Sequence, residues 1–142
     1  MQRICAMKIT GSDKVLVDTS IWIEYFRGKE PAYSLVAGLM DEQRICLIGL
    51  ILAELIQGAR SEKEIAVLLD FLQVFEFFPE NPALWAKAGR LSNSLRQKGK
   101  TIGLADCFIA VMAHDFQAML YSRDEHFRLL GKEINLKLYS EL

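Results

Sequence analysis

Residues 15–26, VLVDTSIWIEYF, constrain the fold more than any other stretch of this chain. Val15-Leu16-Val17 is a short aliphatic, β-branched run of the kind that forms a strand buried on both faces. It stops at Asp18-Thr19-Ser20, and an amphipathic run containing Trp22, Tyr25 and Phe26 follows. Thr19 and Ser20 are good helix N-cap residues, so the break reads as strand, acidic turn, helix. Asp18 then stands at the carboxyl end of a strand, where open α/β sheets carry their ligands. Two readings stay open here: a ligand-holding carboxylate, or an aspartate that only caps a helix.

The rest of the chain repeats the alternation. A helix is predicted over 32–41, with Gly28 as C-cap of the one before it. A short strand follows over 45–48, then a strongly apolar helix over 50–59 whose one charge is Glu54. Ser61-Glu62-Lys63-Glu64 fits a capping box and opens a helix to about 72. Residues 74–78 read as a strand stopped by Pro79. Pro82 opens a long amphipathic helix to about 97, punctuated by Gly99. Residues 104–116 form a helix apolar on nearly every side, which belongs inside the core. Residues 118–122 read as a strand, 126–130 as a short turn of helix and 136–138 as a last edge strand. Strands alternating with helices imply parallel pairing. The expected architecture is a three-layer α/β/α sandwich around a mainly parallel sheet of four or five strands. Residues 1–14 read as a tail, with Met7 offering a second start, and 15–142 as one domain.

A chain of 142 residues is long enough for one well-buried core. Cys5, Cys46 and Cys107 are odd in number and lack CxxC spacing, which points to a reducing compartment rather than a disulfide framework or zinc site. No run is long enough to span a bilayer, so the cytoplasm is the expected location. A net charge of −1 argues against a general nucleic-acid coat protein. Between Asn81 and Ala105, however, Lys87, Arg90, Arg96, Lys98 and Lys100 stand with no acid among them. That run is either a guide for a polyanion or a solvated helix face.

Four acids stand out by position. Asp18 and Asp124 each end an apolar strand, Glu54 is alone in its apolar helix, and Asp106 lies in the first turn of the most apolar helix. Bland readings exist for each: solvent edge for Glu54, dipole partner for Asp106, turn residue for Asp124. If the strands of Asp18 and Asp124 are neighbours, their ends meet at the switch point of the sheet. Four converging carboxylates repel one another unless a cation lies between them. Hard oxygen donors without a His or Cys cluster favour Mg²⁺ or Mn²⁺ over zinc. His114 and His126 read as packing or hydrogen-bonding residues, Cys107 as a small buried hydrophobe, and Trp22, Tyr25 and Phe26 as core or interface.

Taken in order, VDTSIWIEYFRG, AELIQG, LADCFIAVMA and YSRDEHF resemble a PIN-domain ribonuclease of the VapC-like toxin type. The resemblance runs from about Val15 to the C-terminus. It implies a PIN-like fold and an Mg²⁺- or Mn²⁺-dependent endoribonuclease, with Asp18, Glu54, Asp106 and Asp124 matching the metal ligands. Ser20 matches the hydroxyl-bearing residue near the metal. It also implies an RNA substrate, a cognate antitoxin and a homodimer. The alternatives are a PIN-like nuclease in RNA processing without an antitoxin, an aspartate-based phosphatase, or a receiver-like signalling domain. The phosphatase wants a second Asp where Ser20 stands, and the receiver does not call for an acid at Glu54.

Overall fold

The computed structural model describes residues 13–142. Of the expected tail, all but Asp13 and Lys14 lies outside the described residues. The first strand, β1 (Val15–Val17), is buried on both faces and is followed by α1 (Thr19–Phe26). Then come α2 (Ala32–Asp41), β2 (Ile45–Leu47), α3 (Gly49–Gln57), α4 (Glu62–Leu69), the short α5 (Phe71–Val74) and β3 (Glu76–Phe77). The second half holds α6 (Pro82–Gln97), α7 (Leu104–Asp115), β4 (Met119–Tyr121) and α8 (His126–Ile134).

The strands form one parallel sheet in the order β3-β2-β1-β4. Leu138 adds a parallel bridge beside Leu120, where a last edge strand was expected. From β1 the chain lays β2 and β3 to one side, then returns to place β4 on the other. The switch point therefore lies between β1 and β4, with Val15, Leu16 and Val17 in register with Met119, Leu120 and Tyr121. Helix α1 packs on α2 and α3, α7 packs on α6 and α8, and the sheet lies between the two groups. This is the expected α/β/α sandwich.

Local chemistry explains the boundaries. Asn81 caps α6 by accepting from the Leu84 N–H, with Pro82 at the first helical position. Gly28 (φ 68°) and Gly99 (φ 81°) end α1 and α6 in the left-handed conformation that costs glycine least. In both, two backbone bonds close the last turn: Lys29 N–H to Glu24 O and Gly28 N–H to Tyr25 O, then Lys100 N–H to Leu95 O and Gly99 N–H to Arg96 O. Ser61 caps α4 through the Glu64 N–H, but the Glu64 carboxylate returns to the Arg60 N–H rather than to Ser61.

Helix α7 buries every residue from Cys107 to Ala113, between the sheet and α6. Trp85 of α6 stacks on Phe108 with centroids 3.6 Å apart. On the other face Trp22 is fully buried among Tyr25, Phe26, Phe71 and Phe75. Two expectations need correction. The helix expected to run to about 72 breaks at Asp70 into α4 and α5, which leaves β3 only two residues. The short turn expected at 126–130 is a full helix to Ile134. Gly131 lies within it, and its carbonyl accepts the Leu136 N–H where the chain leaves the helix. Among the described residues no helix is long and apolar enough to cross a membrane.

Candidate active site

Because β1 and β4 pair in parallel, their carboxyl ends lie side by side, and the Asp18 N–H donates to the Tyr121 carbonyl at 2.9 Å. Asp18 occupies the N-cap position of α1, yet its side chain makes no capping hydrogen bond. Its Oδ2 instead accepts from Ser122 Oγ at 2.7 Å and, more weakly, from Ser20 Oγ at 3.4 Å. The capping reading is thus set aside by geometry. Asp18 is 7% exposed, the one buried charged residue among those described.

Glu54 reaches the same crevice from α3, where Thr19 Oγ1 donates to its Oε1 at 2.7 Å. Asp106 enters from the first turn of α7, which runs antiparallel to the strands and so begins at the carboxyl edge of the sheet. Asp124 comes from the turn after β4; its N–H donates to Ser122 Oγ at 3.0 Å, and its Oδ1 accepts the His126 N–H at 2.9 Å. Ser122 therefore ties Asp18 to Asp124. Ser20 accepts the Arg123 N–H at 3.1 Å and joins the same turn. Asp18 thus stands beside Ser20, feels the charges of Glu54 and Asp106, and is joined through Ser122 to the Asp124 turn.

The crevice has two halves. Asp18 and Glu54 are linked through Thr19. Asp106, Asp124 and His126 offer ligand atoms that all lie within 4.8 Å of one another. His126 Nδ1 lies 3.0 Å from Asp106 Oδ2 and 3.5 Å from Asp124 Oδ1. Its hydrogen bond to Asp106, together with the Asp124 charge, raises its pKa above the ordinary imidazole value. Sequence reasoning gave this histidine a generic hydrogen-bonding role; the signal was its place two residues after Asp124. Burial pushes the Asp18 carboxyl up, and the negative charges of Glu54 and Asp106 push the same way, against hydrogen bonds from Ser122 and the Thr19 backbone. A carboxylate raised by burial, and further by like charges beside it, is one that a cation would stabilise. Hard oxygens from four acids, with one imidazole at the rim, fit a hard divalent ion.

The structure divides the basic run. Lys87 donates to both carboxylate oxygens of Asp115, at 2.7 and 2.8 Å. Asp115 lies about 14 Å along α7 from Asp106 at 1.5 Å per residue, so Lys87 belongs to the far end. Lys98 pairs with Glu133 of α8 at 3.0 Å. Acids distant in sequence neutralise these two. Arg90, Arg96 and Lys100 make no ion pair among the described residues, and Arg96 and Lys100 follow the antiparallel helix back toward the start of α7.

A parallel sheet with Asp18 and the Asp124 turn side by side at its switch point, and Glu54 and Asp106 close enough to act on Asp18, defines an α/β protein with an acidic crevice. The chain belongs to the PIN-domain family, whose description matches residues 15–133. It is 30% identical to ribonuclease VapC1 of Methanocaldococcus jannaschii over 90% of this chain and 88% of that protein. It is 28% identical to a VapC ribonuclease of Mycobacterium bovis, over 89% of this chain and 98% of the relative. Among solved structures it resembles VapBC2 of Rickettsia felis bound to a DNA fragment from their promoter. The TM-score there is 0.67 at 25% identity, covering 88% of this chain and 96% of that one. DNA-bound VapBC of Salmonella typhimurium gives a TM-score of 0.70 at 21% identity, covering 89% and 96%.

Proposed function

We infer that this chain is an endoribonuclease of the VapC kind and the toxin of a toxin–antitoxin pair. Family membership and VapC-named relatives along nearly the whole chain support it. The observation that carries the site is that Ser122 joins Asp18 to the Asp124 turn at the carboxyl ends of β1 and β4, with the charges of Glu54 and Asp106 acting on Asp18. We propose that these four acids hold Mg²⁺ or Mn²⁺. When bound, such an ion supplies Lewis-acid polarisation of a phosphodiester.

The protein's own residues supply geometry. Thr19 fixes the Glu54 carboxylate, Ser122 orders Asp18 against the Asp124 turn, and Ser20 holds that turn from below. His126 keeps Asp106 and Asp124 facing one another. Arg96 and Lys100 are placed to draw an RNA backbone toward the crevice by charge.

An antitoxin would find its surface on the other face of α1. Ile23 and Phe26 are 39% and 47% exposed and line a groove of about 500 Å³ with Leu55, Val67 and Leu68, with Arg27 and Arg60 among its polar lining residues. That is the form an amphipathic segment takes up. Trp22, read from the sequence as core or interface, is core. A homodimer and a cytoplasmic location complete the reading. Incubation of purified protein with single-stranded RNA tests it: cleavage in Mg²⁺ or Mn²⁺, lost in EDTA, is expected. Undiminished cleavage in chelator would contradict the metal site. Co-expression with a neighbouring small open reading frame should suppress the activity.

A further inference from the structure

Arg123 stands between two residues of the crevice, Ser122 and Asp124, and its side chain turns away from both. Its Nε and Nη2 donate to Glu24 of α1 at 3.0 and 2.9 Å, and its Nη1 donates to Glu141 at 2.7 Å. Nη2 also lies 2.6 Å from the second Glu141 oxygen, and the Tyr121 hydroxyl donates to that same oxygen. Glu141 sits on the segment that lies along β4, where the Leu120 N–H bonds to Lys137 O and the Tyr139 N–H to Leu120 O. Two elements distant in sequence, α1 and the C-terminal segment, thus meet on the guanidinium of the turn after β4.

We propose that Arg123 is a positioning residue: with Glu24 and Glu141 it clamps the turn 122–124, and so holds Asp124 at the crevice. The inference rests on the metal-site reading above. Asp124 needs such support because its turn is exposed and outside any helix or strand. A ligand must be held within about 0.5 Å of its working position by groups that are themselves fixed. The Arg123 fork is filled by two carboxylates in paired geometry, which leaves it little capacity to bind a phosphate. Its hydrogen bonds hold Glu24 and Glu141 below the ordinary carboxylate range. Isolated surface ion pairs contribute little, but planar, paired and networked ones hold geometry.

The test is calorimetric titration of Mn²⁺ into metal-free wild type, Arg123→Leu, Glu141→Gln and the double variant, with thermal melts and cleavage kinetics alongside. Arg123→Leu should weaken Mn²⁺ affinity about tenfold, as losses of supporting shell residues do. Glu141→Gln should weaken it less, and in the Arg123→Leu background it should add nothing further, since both remove one clamp. kcat should fall with KM for RNA within about twofold. Arg123→Lys, which keeps the charge but not the fork, should fall between, and it carries the test if Arg123→Leu does not fold. Lower melting temperatures with unchanged Mn²⁺ affinity would make the clamp merely structural and overturn the proposal. A raised KM with unchanged Mn²⁺ affinity would make Arg123 a substrate contact and overturn it too. Asp106→Asn run in parallel separates the two readings. If it loses Mn²⁺ while Arg123→Leu does not, the clamp alone fails; if it keeps wild-type affinity, the metal site fails first.

Discussion

At the C-terminal end of α7, Asp115 accepts both hydrogen bonds that Lys87 offers and lies beside His114. At the sheet edge where α7 begins, Asp18 is more deeply buried, and the charges acting on it are Glu54 and Asp106. Burial pushes both carboxyls up. Lys87 and His114 outweigh it at Asp115, whose pKa falls below the ordinary value, while Asp18 stays above. An acid given a cation by its own chain is part of the scaffold. An acid surrounded by other acids is held for a cation from outside.

Substitution breaks this comparison most sharply. Asp18→Asn and Asp106→Asn should each lower RNA cleavage by about 100-fold or more, as the loss of a group in electrostatic catalysis does. Asp115→Asn should leave cleavage within about twofold, since its partner Lys87 lies far from the crevice. Equal losses from all three, at matched folded fractions, would erase the distinction between the two ends.

Stability should move in opposite directions. In metal-free protein at neutral pH, Asp18→Asn removes one like charge from a crowded, buried place and should raise the melting temperature by a few degrees, roughly the effect of 1 kcal/mol in a domain this size. Asp115→Asn should lower it, because Lys87 loses its partner. The pH dependence of Asp115 has a definite sign. Its folded pKa is depressed, so its contribution is present above the unfolded value of 3.8 and is lost as pH falls through the lower folded value. Acid melts of wild type and Asp115→Asn should converge below that window and separate above it. Separation that grows on acidification would refute the assignment.

The order of these effects also marks what the sequence could show. Asp18, Glu54, Asp106 and Asp124 were visible because each breaks a local pattern: a charge ending an apolar strand, or alone on an apolar helix. Ser122 and Arg123 were not, because their roles exist only once β4 lies beside β1, about a hundred residues apart in sequence; His126 read only as a packing or hydrogen-bonding residue, because its partner Asp106 stands on another helix. The same limit left the basic run undivided. Asp115 and Glu133, which neutralise Lys87 and Lys98, lie outside the window in which the run looked unopposed. Helix ends split likewise. Gly28 and Gly99 announced themselves, whereas Gln43 and Gln117 take the same left-handed conformation with φ of 55° and 57° and gave no sign. The sequence reading also stopped α8 short, at 130, where the helix runs on through Gly131 to Ile134.

A smaller effect sharpens the comparison at the surface. Neutralising Arg96 and Lys100 together should raise KM for RNA several-fold and flatten its salt dependence, with kcat little changed. Lys87→Met should do neither. If Lys87→Met shifted KM as much, the far end of α7 would also face the substrate.

The most direct measurement strips the purified protein with EDTA, then follows cleavage of a single-stranded RNA as Mg²⁺ is restored to wild type, Asp106→Asn and Asp115→Asn. Wild type and Asp115→Asn should recover together over the same Mg²⁺ range, while Asp106→Asn stays inactive at every concentration. Cleavage by stripped wild type in chelator, or full recovery by Asp106→Asn, would contradict a cation held by the acids at the switch point.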